Sequence, residues 1–277
     1  MVEISPEYLA ARRTLLDALA ALEPHLDNLI LVGAQAVYLH AGAGDVSVAP
    51  MTTDADLALD ARGLADSPEI SAALSAAGFV AGSNPGAWIA PNSVAVDLMV
   101  VPHQSGRTRP SARAAHLDPH DRRTARVTAG LEPTLVDCAH RELRALADDP
   151  DTRRFTVRVA GPAALMTAKL VKIGERLDQK TRQPDRIKAK DALDLFRLLQ
   201  SVETVDLVSG FALHLDDDFA AASTRTALEF LRAQSQSTDG VLPQLAQIAA
   251  AHDPVVGASF VALSGELFSA LDRAEGA

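Results

Sequence analysis

The sequence predicts an α+β protein, with a mixed sheet flanked by helices in its first part and a mostly helical region after it. Short apolar runs bounded by turn residues, typical of buried strands, are confined to the first 160 residues. Beyond them the chain is rich in Ala and Leu, with breaks near residues 216–218, 235–240 and 252–254. We therefore expect an α/β domain over residues 1–160 and a helical domain over residues 161–277.

Local signals define the first elements. Ser5-Pro6 opens a predicted helix that runs to about Glu23, because Pro favours the first turn and the Leu residues follow at helical spacing. The run 29–32 (LILV) predicts a short buried strand that ends at Gly33-Ala34, where a helix begins. A strand over residues 54–60 and a helix over residues 70–77 complete this part.

The remaining elements of the first domain are less regular. A hairpin is predicted from residues 88–90 and 93–101, which flank Pro91-Asn92. Residues 102–126 have no clear period and predict a long loop or short strands. Residues 153–159 alternate charged with apolar side chains, the pattern of a half-exposed strand. Two predicted helices follow, over residues 162–177 and 187–200.

Composition restricts the class of protein. The chain has 277 residues, 48% of them hydrophobic, enough for real cores. We find no run of eighteen apolar residues and no basic, apolar leader, so we expect neither a membrane span nor membrane binding. The single cysteine, Cys138, excludes an intramolecular disulfide and fits a cytoplasmic protein.

Charge is unevenly distributed along the chain. The net charge of −10 argues against nucleic-acid binding, but residues 153–190 carry eleven Lys or Arg against three acidic residues. Residues 107–126 add six Arg against two Asp. Basic zones on an acidic protein favour a phosphate-bearing ligand, with solvated helix faces as the alternative interpretation.

Three carboxylates are the strongest chemical signal. Asp54 and Asp56 point to one side of a predicted strand, and Asp97 interrupts an apolar run that predicts another strand. An all-oxygen set of this kind suits Mg²⁺, and a two-metal site would let Asp54 and Asp56 hold a triphosphate while Asp97 assists the attacking hydroxyl. The alternative for an Asp at a strand start is a turn cap.

Charged residues also lie beside the apolar faces of the two following helices. Lys169, Lys172 and Arg176 line one stripe of the first helix, so we expect Lys169 to bind phosphate. Asp191 falls on the buried face of the next helix, where it would orient Lys169 or form an ion pair that joins the helices. Gly33 would let the backbone approach a triphosphate, although a strand-to-helix turn explains it equally well.

Together these residues resemble the nucleotidyltransferase fold of the DNA polymerase β type, and in particular the bacterial AbiEii and MenT group of toxins. The fingerprint of that group is Gly-Ser before a helix, Asp-x-Asp on the next strand, a helical Lys, and Lys-Asp at another helix start. Here it is matched by Gly33-Ala34, Asp54-Ala55-Asp56, Lys169 and Lys190-Asp191. Ala34 departs from it, because it lacks the hydroxyl that would contact the triphosphate, and the stretch from Gly33 to Asp54 is long.

The resemblance implies Mg²⁺-dependent transfer of a nucleoside monophosphate from an NTP to an acceptor hydroxyl. In the toxin group the acceptor is the 3′ end of tRNA, and a cognate antitoxin restrains the enzyme. The helical domain would then contribute its Lys and Asp to the site. Residues expected to bind the nucleotide are Gly33, Ala34, Thr53, Lys172, Arg176 and Lys190. Two alternatives stay open: a small-molecule acceptor, or a degenerate module that binds nucleotide or protein without catalysis.

Overall fold

A computed structural model describes residues 4–42, 51–109, 112–146, 149–179 and 188–276. The chain divides into two compact units. The sheet unit comprises Met1–Ala36 and Ala49–Ala160, and the helical unit comprises Val37–Val48 and Gly161–Ala277. No sequence pattern indicated that residues 37–42 group with the C-terminal helices.

The sheet unit is built on one mixed sheet, with eight strands in the described residues. They are β1 (Leu29–Val32), β2 (Asp54–Leu59), β3 (Val80–Ala81), β4 (Ala87–Ile89), β5 (Ala95–Val100), β6 (Arg126–Val127), β7 (Cys138–Arg144) and β8 (Arg154–Ala160). The helices that begin in this unit are α1 (Pro6–Ala21), α2 (Gly33–Ala41) and α3 (Ile70–Ala76). Helix α2 crosses the boundary between the units.

Strand order places the predicted motifs in the middle of the sheet. The order is β3-β4-β5-β2-β1-β8-β7, and β6 pairs with β5. Strand β1 is antiparallel to β2 and parallel to β8, while β2 is parallel to β5. Strands β4 and β5 form the predicted antiparallel hairpin. The predicted mixed sheet flanked by helices is therefore confirmed.

Helix α1 is stabilised by a capped N-terminus and by a row of buried leucines. The Ser5 hydroxyl accepts a hydrogen bond from the Tyr8 amide (3.2 Å), and Pro occupies the first turn, so the helix start is satisfied. Leu15, Leu16 and Leu19 are fully buried, and the helix packs on β2 and β5. Each such leucine contributes roughly 1.5–3 kcal/mol by its burial.

Strand β7 is an element that the sequence did not predict. Its only fully buried side chain is Leu143, while His140, Arg141 and Glu142 are exposed in succession. An edge strand with so little buried surface has no alternating pattern to detect. Its pairing with β8 nevertheless runs over seven residues, from Cys138 opposite Ala160 to Arg144 opposite Arg154.

The helical unit confirms the second half of the predicted fold. Its described helices are α4 (Pro162–Asp178), α5 (Ala189–Ser201), α6 (Thr204–Leu215), α7 (Ala220–Gln234), α8 (Val241–Ala249) and α9 (Pro254–Glu275), joined by the end of α2. The breaks between α6, α7, α8 and α9 match the predicted ones. The break between α5 and α6, at Val202-Glu203, follows the predicted end of the helix over residues 187–200.

Helix α9 bears on the expectation that the chain has no membrane span. Among the described residues, one segment, Pro254–Ala274, is long and apolar enough to cross a membrane, with a mean hydropathy of 1.5. Its buried residues include Phe260, Ser264 and Leu267, which recur on one side of the helix. That side packs against α5, α6 and α8, an arrangement that core helices of soluble proteins share. Length and hydropathy alone are weak evidence for a span.

Candidate functional site

The sheet register brings the three predicted carboxylates to one face of two neighbouring strands. Asp56 on β2 lies directly opposite Asp97 on β5, and Asp54 is two residues before Asp56. Residues opposite each other in a sheet, and residues two apart in a strand, share a face. All three side chains are half-buried, whereas the intervening Ala55 and Val96 are buried on the other face.

Asp54 and Asp97 accept hydrogen bonds from different side chains. The Thr52 hydroxyl donates to Asp54 Oδ1 (2.8 Å), and Arg126 Nη2 donates to Asp97 Oδ2 (3.1 Å). In the described part of the chain, no three Asp, Glu, His or Cys side chains converge closely enough to hold a metal ion. The donor set is all oxygen, as Mg²⁺ requires, so the residue types fit that ion. Asp97, however, already forms a salt bridge with Arg126.

Gly33 lies directly against one of these carboxylates. Its φ is +70°, and a Cβ built on it would lie 2.0 Å from Asp56 Oδ2. A side chain at this position is therefore excluded both by backbone conformation and by the space that Asp56 fills. The sequence singled out this glycine for close approach to a ligand, and the structure shows a close approach to Asp56.

Replacement of Gly33 by Ala should destabilise the protein more than a matched replacement of Gly63. Gly63 has φ +69° and nothing within 4 Å of a built Cβ, so Gly63→Ala reports the backbone strain alone, about 1–2 kcal/mol. Gly33→Ala adds displacement of Asp56, a further ~1–3 kcal/mol. Denaturant unfolding of both variants checks this, and equal losses of stability would contradict the role of the contact with Asp56.

A polar network behind the carboxylates was not predicted from the sequence. Gln35 Nε2 donates to the backbone oxygens of Ala11 and Asp54, each at 3.2 Å. Buried Arg12 donates from Nε to Gln35 Oε1 (2.8 Å) and from Nη2 to the Tyr8 hydroxyl (3.1 Å). Gln35 thus ties the first turn of α2 to α1 and to the start of β2, which positions Asp54.

The helical unit contains a second charged group, the cation cluster. Its members are Lys169, Lys172 and Arg176 on α4 and Asp191, Asp194 and Arg197 on α5. Lys169 is buried, and its Nζ lies 2.7 Å from Asp194 Oδ2 and 3.4 Å from Asp191 Oδ1. Asp194 is therefore the closer partner of Lys169, although the sequence assigned the orienting role to Asp191.

Asp191 instead has three cationic partners. Besides Lys169, it accepts from Lys172 Nζ (3.1 Å) and from Arg176 Nη1 (3.0 Å). Burial of Asp191 acts to raise its pKa, but the charges of Lys169, Lys172 and Arg176 outweigh burial and lower the pKa to about 2. Asp191 is consequently ionised at neutral pH. The predicted ion pair between α4 and α5 is present.

Asp194 is held in turn by Arg197. Arg197 Nη1 donates to Asp194 Oδ1 (3.1 Å), and its guanidinium lies over the Tyr38 ring, 5.2 Å from the ring centre. Asp194 and Arg197 are both buried. Helical periodicity puts Asp194 on the same buried face of α5 as Asp191, but no sequence pattern indicated a role for Asp194 or for Arg197.

The cation cluster has an excess of positive charge. Four cations share two carboxylates, which leaves a formal charge of +2. The outer cations are accessible, since the side chains of Lys172 and Arg176 are 44% and 20% exposed. Such an arrangement can bind an anion at its rim without leaving the inner charges unpaired.

The other predicted site residues differ in burial, and part of the predicted basic zone lies outside the described residues. Ala34 is buried, Thr53 is exposed, and Lys190 is half-buried at the start of α5. Lys180, Arg182 and Arg186, which belong to the predicted basic zone, lie outside the described residues. Described cations of that zone in the sheet unit form pairs: Arg153 with Asp17 and Asp151, Arg154 with Glu142, and Arg158 with Asp60.

Comparison with known proteins identifies the family. A family model described as a nucleotidyl transferase AbiEii toxin of a type IV toxin–antitoxin system matches residues 14–257. A comparison with curated proteins found no match. The matched range takes in both the three carboxylates and the cation cluster. The resemblance seen in the sequence is confirmed: this chain belongs to the nucleotidyl transferase AbiEii toxin family.

Proposed function

We propose that this protein is a Mg²⁺-dependent nucleotidyltransferase that moves a nucleoside monophosphate from an NTP to the 3′ hydroxyl of tRNA. Membership of a nucleotidyl transferase toxin family supports the reaction class and the toxin role. The observation that carries the proposal is the register that aligns Asp56 with Asp97, two residues from Asp54, on one face of the sheet.

The carboxylates support the proposed use of a divalent ion. Three carboxylates on one face repel one another, and a cation among them offsets that repulsion. Asp54 and Asp56 would hold the ion, and Asp97 would take part once its carboxylate is released from Arg126. When bound, Mg²⁺ supplies Lewis-acid stabilisation of charge on phosphate oxygens.

The cation cluster, taken within the helical unit alone, supports binding of a polyphosphate. Lys172 and Arg176 combine partial exposure with the excess positive charge that a polyphosphate would neutralise. Lys169, held between Asp194 and Asp191, would present a fixed charge rather than a mobile one. Positioning and electrostatic stabilisation are the main contributions that a protein makes to phosphoryl transfer.

The arginines that follow β5 support an RNA acceptor over a small molecule. Arginines at positions 107, 109, 113, 122, 123 and 126 lie in the segment that follows β5, within the unit that carries the carboxylates. Arg109, Arg113 and Arg122 are exposed in the described chain. Exposed arginines attract a phosphate backbone even on a protein of net charge −10.

Incubation with Mg²⁺, total bacterial tRNA and each α-labelled NTP in turn tests the acceptor. We expect label to move onto tRNA with one or two of the four nucleotides and to be absent when the metal is chelated. Removal of the 3′ terminal hydroxyl of the tRNA should abolish labelling. Labelling that persists on such RNA, or label found only on small molecules, would contradict the proposed acceptor.

A cognate antitoxin is the partner that the family implies. In this proposal it restrains a transferase that would otherwise block aminoacylation by extending tRNA. A degenerate module that binds nucleotide without turnover remains the alternative, and Ala34 is the residue that favours it. Transfer of label to any acceptor would exclude that alternative.

A further inference from the structure

We propose that the outward face of α6 is a docking surface for a basic amphipathic helix of a partner protein. Helix α6 spans Thr204–Leu215 and lies entirely in the described range 188–276. This surface belongs to the helical unit and is independent of the proposed function.

Helix α6 is apolar on its outward side as well as on its inward side. Leu207, Phe211 and His214 are buried, and the helix packs against α4, α7 and α9. On the other side, Val205 and Leu213 are 67% and 48% exposed. A surface helix usually presents polar residues to water, so an apolar outward side indicates a surface that another molecule covers.

The outward side consists of two short rows of side chains, which together form the α6 surface. At about 100° per residue, Val205, Ala212 and Asp216 lie within about 20° of one line along the helix. Asp206 and Leu213, two turns apart, form the neighbouring row. All five residues are exposed. The α6 surface therefore combines apolar side chains with a carboxylate near each end.

The residues that border these rows extend the apolar area. Val208 and Leu215 are half-buried, so part of each side chain reaches the surface. Ser209, between the rows, donates its hydroxyl proton to the Val205 backbone oxygen (2.9 Å). A docked helix would therefore displace few hydrogen bonds to water from the α6 surface.

The charge around the α6 surface is entirely acidic. Residues 201–224 contain one Glu, four Asp and no Lys or Arg. Asp217 caps α7 by accepting hydrogen bonds from the amides of Phe219 and Ala220 (3.0 and 2.9 Å). Asp216, in contrast, lies at the C-terminal end of α6, where the helix dipole disfavours a negative charge. A cation on a partner would offset that cost.

The acidic ends decide which class of molecule fits. RNA and anionic membranes carry phosphates, which these carboxylates would repel. Two copies of this chain that met through α6 would bring Asp206 and Asp216 of one copy near the same acids of the other. A helix with apolar residues on one side and Lys or Arg at both ends matches both features of the surface. Because α6 has 12 residues, a partner helix of roughly three to four turns would cover it.

Binding of a synthetic peptide to the full chain tests the α6 surface. The probe is a fluorescent peptide of about sixteen residues, with Leu at helical spacing on one side and Lys elsewhere. We expect saturable binding by fluorescence anisotropy, weakened by added salt, and no binding of the same peptide with Glu in place of Lys. Absence of saturable binding of the Lys peptide at the highest soluble protein concentration would overturn the proposal.

Matched pairs of apolar variants locate the binding. Val205→Ser with Leu213→Ser should weaken it about tenfold or more, because two apolar contacts are lost. The control, Val255→Ser with Ile248→Ser, changes residues of nearly the same exposure, 66% and 47%, on α9 and α8. It should change the affinity less than twofold, and both pairs should unfold near the unmodified midpoint. Equal effects of the two pairs would overturn the proposal, since the peptide would then bind exposed apolar residues without preference.

Matched charge variants test the acidic ends. Asp206→Asn with Asp216→Asn should weaken binding of the Lys peptide about threefold to tenfold at low salt. Asp239→Asn with Glu266→Gln makes the same change in net charge at exposed positions elsewhere in the helical unit, and it should have less than a twofold effect. Equal losses in the two pairs would overturn the proposal, because attraction to net charge alone would explain them.

Two other occupants give distinct results. Sedimentation of the full chain without peptide would show self-association that Val205→Ser with Leu213→Ser abolishes if a second copy covers the α6 surface. Vesicles of anionic phospholipid would bind the unmodified protein and lose that binding in the same variant if a membrane covers it. Either result would overturn the proposal, and we expect neither.

Discussion

Replacement of Asp54 by alanine should lower nucleotidyl transfer by about 10³-fold or more while the protein stays folded. The expected loss corresponds to ~4 kcal/mol of transition-state stabilisation, typical for removal of a group that acts directly on developing charge. Asp54 is half-buried, and the hydrogen bond its side chain is seen to accept comes from the Thr52 hydroxyl, so its loss leaves no buried charge without a partner. The measurement is the rate of label transfer at saturating NTP and Mg²⁺.

The matched control for Asp54→Ala is Asp66→Ala. Asp66 is exposed on a loop of the same unit, so its replacement makes the same change in net charge away from the carboxylates. We expect Asp66→Ala to transfer label at the unmodified rate. Transfer by Asp54→Ala within tenfold of that rate, with unfolding unchanged, would remove Asp54 from the proposed chemistry.

Replacement of Asp194 by asparagine should lower the free energy of unfolding by about 3–5 kcal/mol, because it removes the negative charge to which two buried cations donate. Lys169 and Arg197 are both held by Asp194, and all three side chains are nearly inaccessible to solvent. Asparagine preserves the shape of the side chain, so the expected loss reports charge and not a cavity. Denaturant unfolding followed by a probe in the helical unit measures it.

Two further variants test the origin of that loss. Asp218→Asn makes the same chemical change at an exposed position of the helical unit and should cost less than about 0.5 kcal/mol. Lys169→Met combined with Asp194→Asn should recover part of the stability, because the methionine removes a buried charge that has lost its closer carboxylate and keeps the volume. Strictly additive losses in the double variant would contradict coupling between Lys169 and Asp194.

The central features of the candidate site follow from local sequence rules. Alternation along a strand predicted that Asp54 and Asp56 share a side, and the apolar run around Asp97 predicted the strand that carries it. The pairing of Asp56 with Asp97 depends on the register between β2 and β5, which no local sequence pattern predicted. Helical periodicity likewise placed Lys169 and Asp191 on facing helices, where their ion pair is found.

The residues that sequence analysis missed act across long separations in the chain. Arg126 reaches Asp97 through the pairing of β6 with β5, and β6 is only two residues long. Arg12 reaches Gln35 because α1 packs on the sheet beside the first turn of α2. Neither contact has a local pattern, since an isolated Arg or Gln in a sequence looks the same whether it is solvated or buried.

The preference of Lys169 for Asp194 over Asp191 shows a second limit of sequence rules. Both carboxylates lie on one face of α5, three residues apart, so periodicity treats them as equivalent neighbours of α4. Which of them meets a given lysine depends on how far one helix is shifted along the other, a quantity set by packing of the whole unit. In the structure Lys169 Nζ lies 2.7 Å from Asp194 Oδ2 and 3.4 Å from Asp191 Oδ1.

Release of pyrophosphate distinguishes nucleotidyl transfer from mere binding of a nucleotide. The purified protein is mixed with Mg²⁺, tRNA and the NTP that labels it, and pyrophosphate is counted against nucleotides added to RNA. We expect one pyrophosphate for each nucleoside monophosphate transferred, with both lost in Asp54→Ala and both kept in Asp66→Ala. Binding of NTP without pyrophosphate release, whatever acceptor is supplied, would contradict a nucleotidyltransferase.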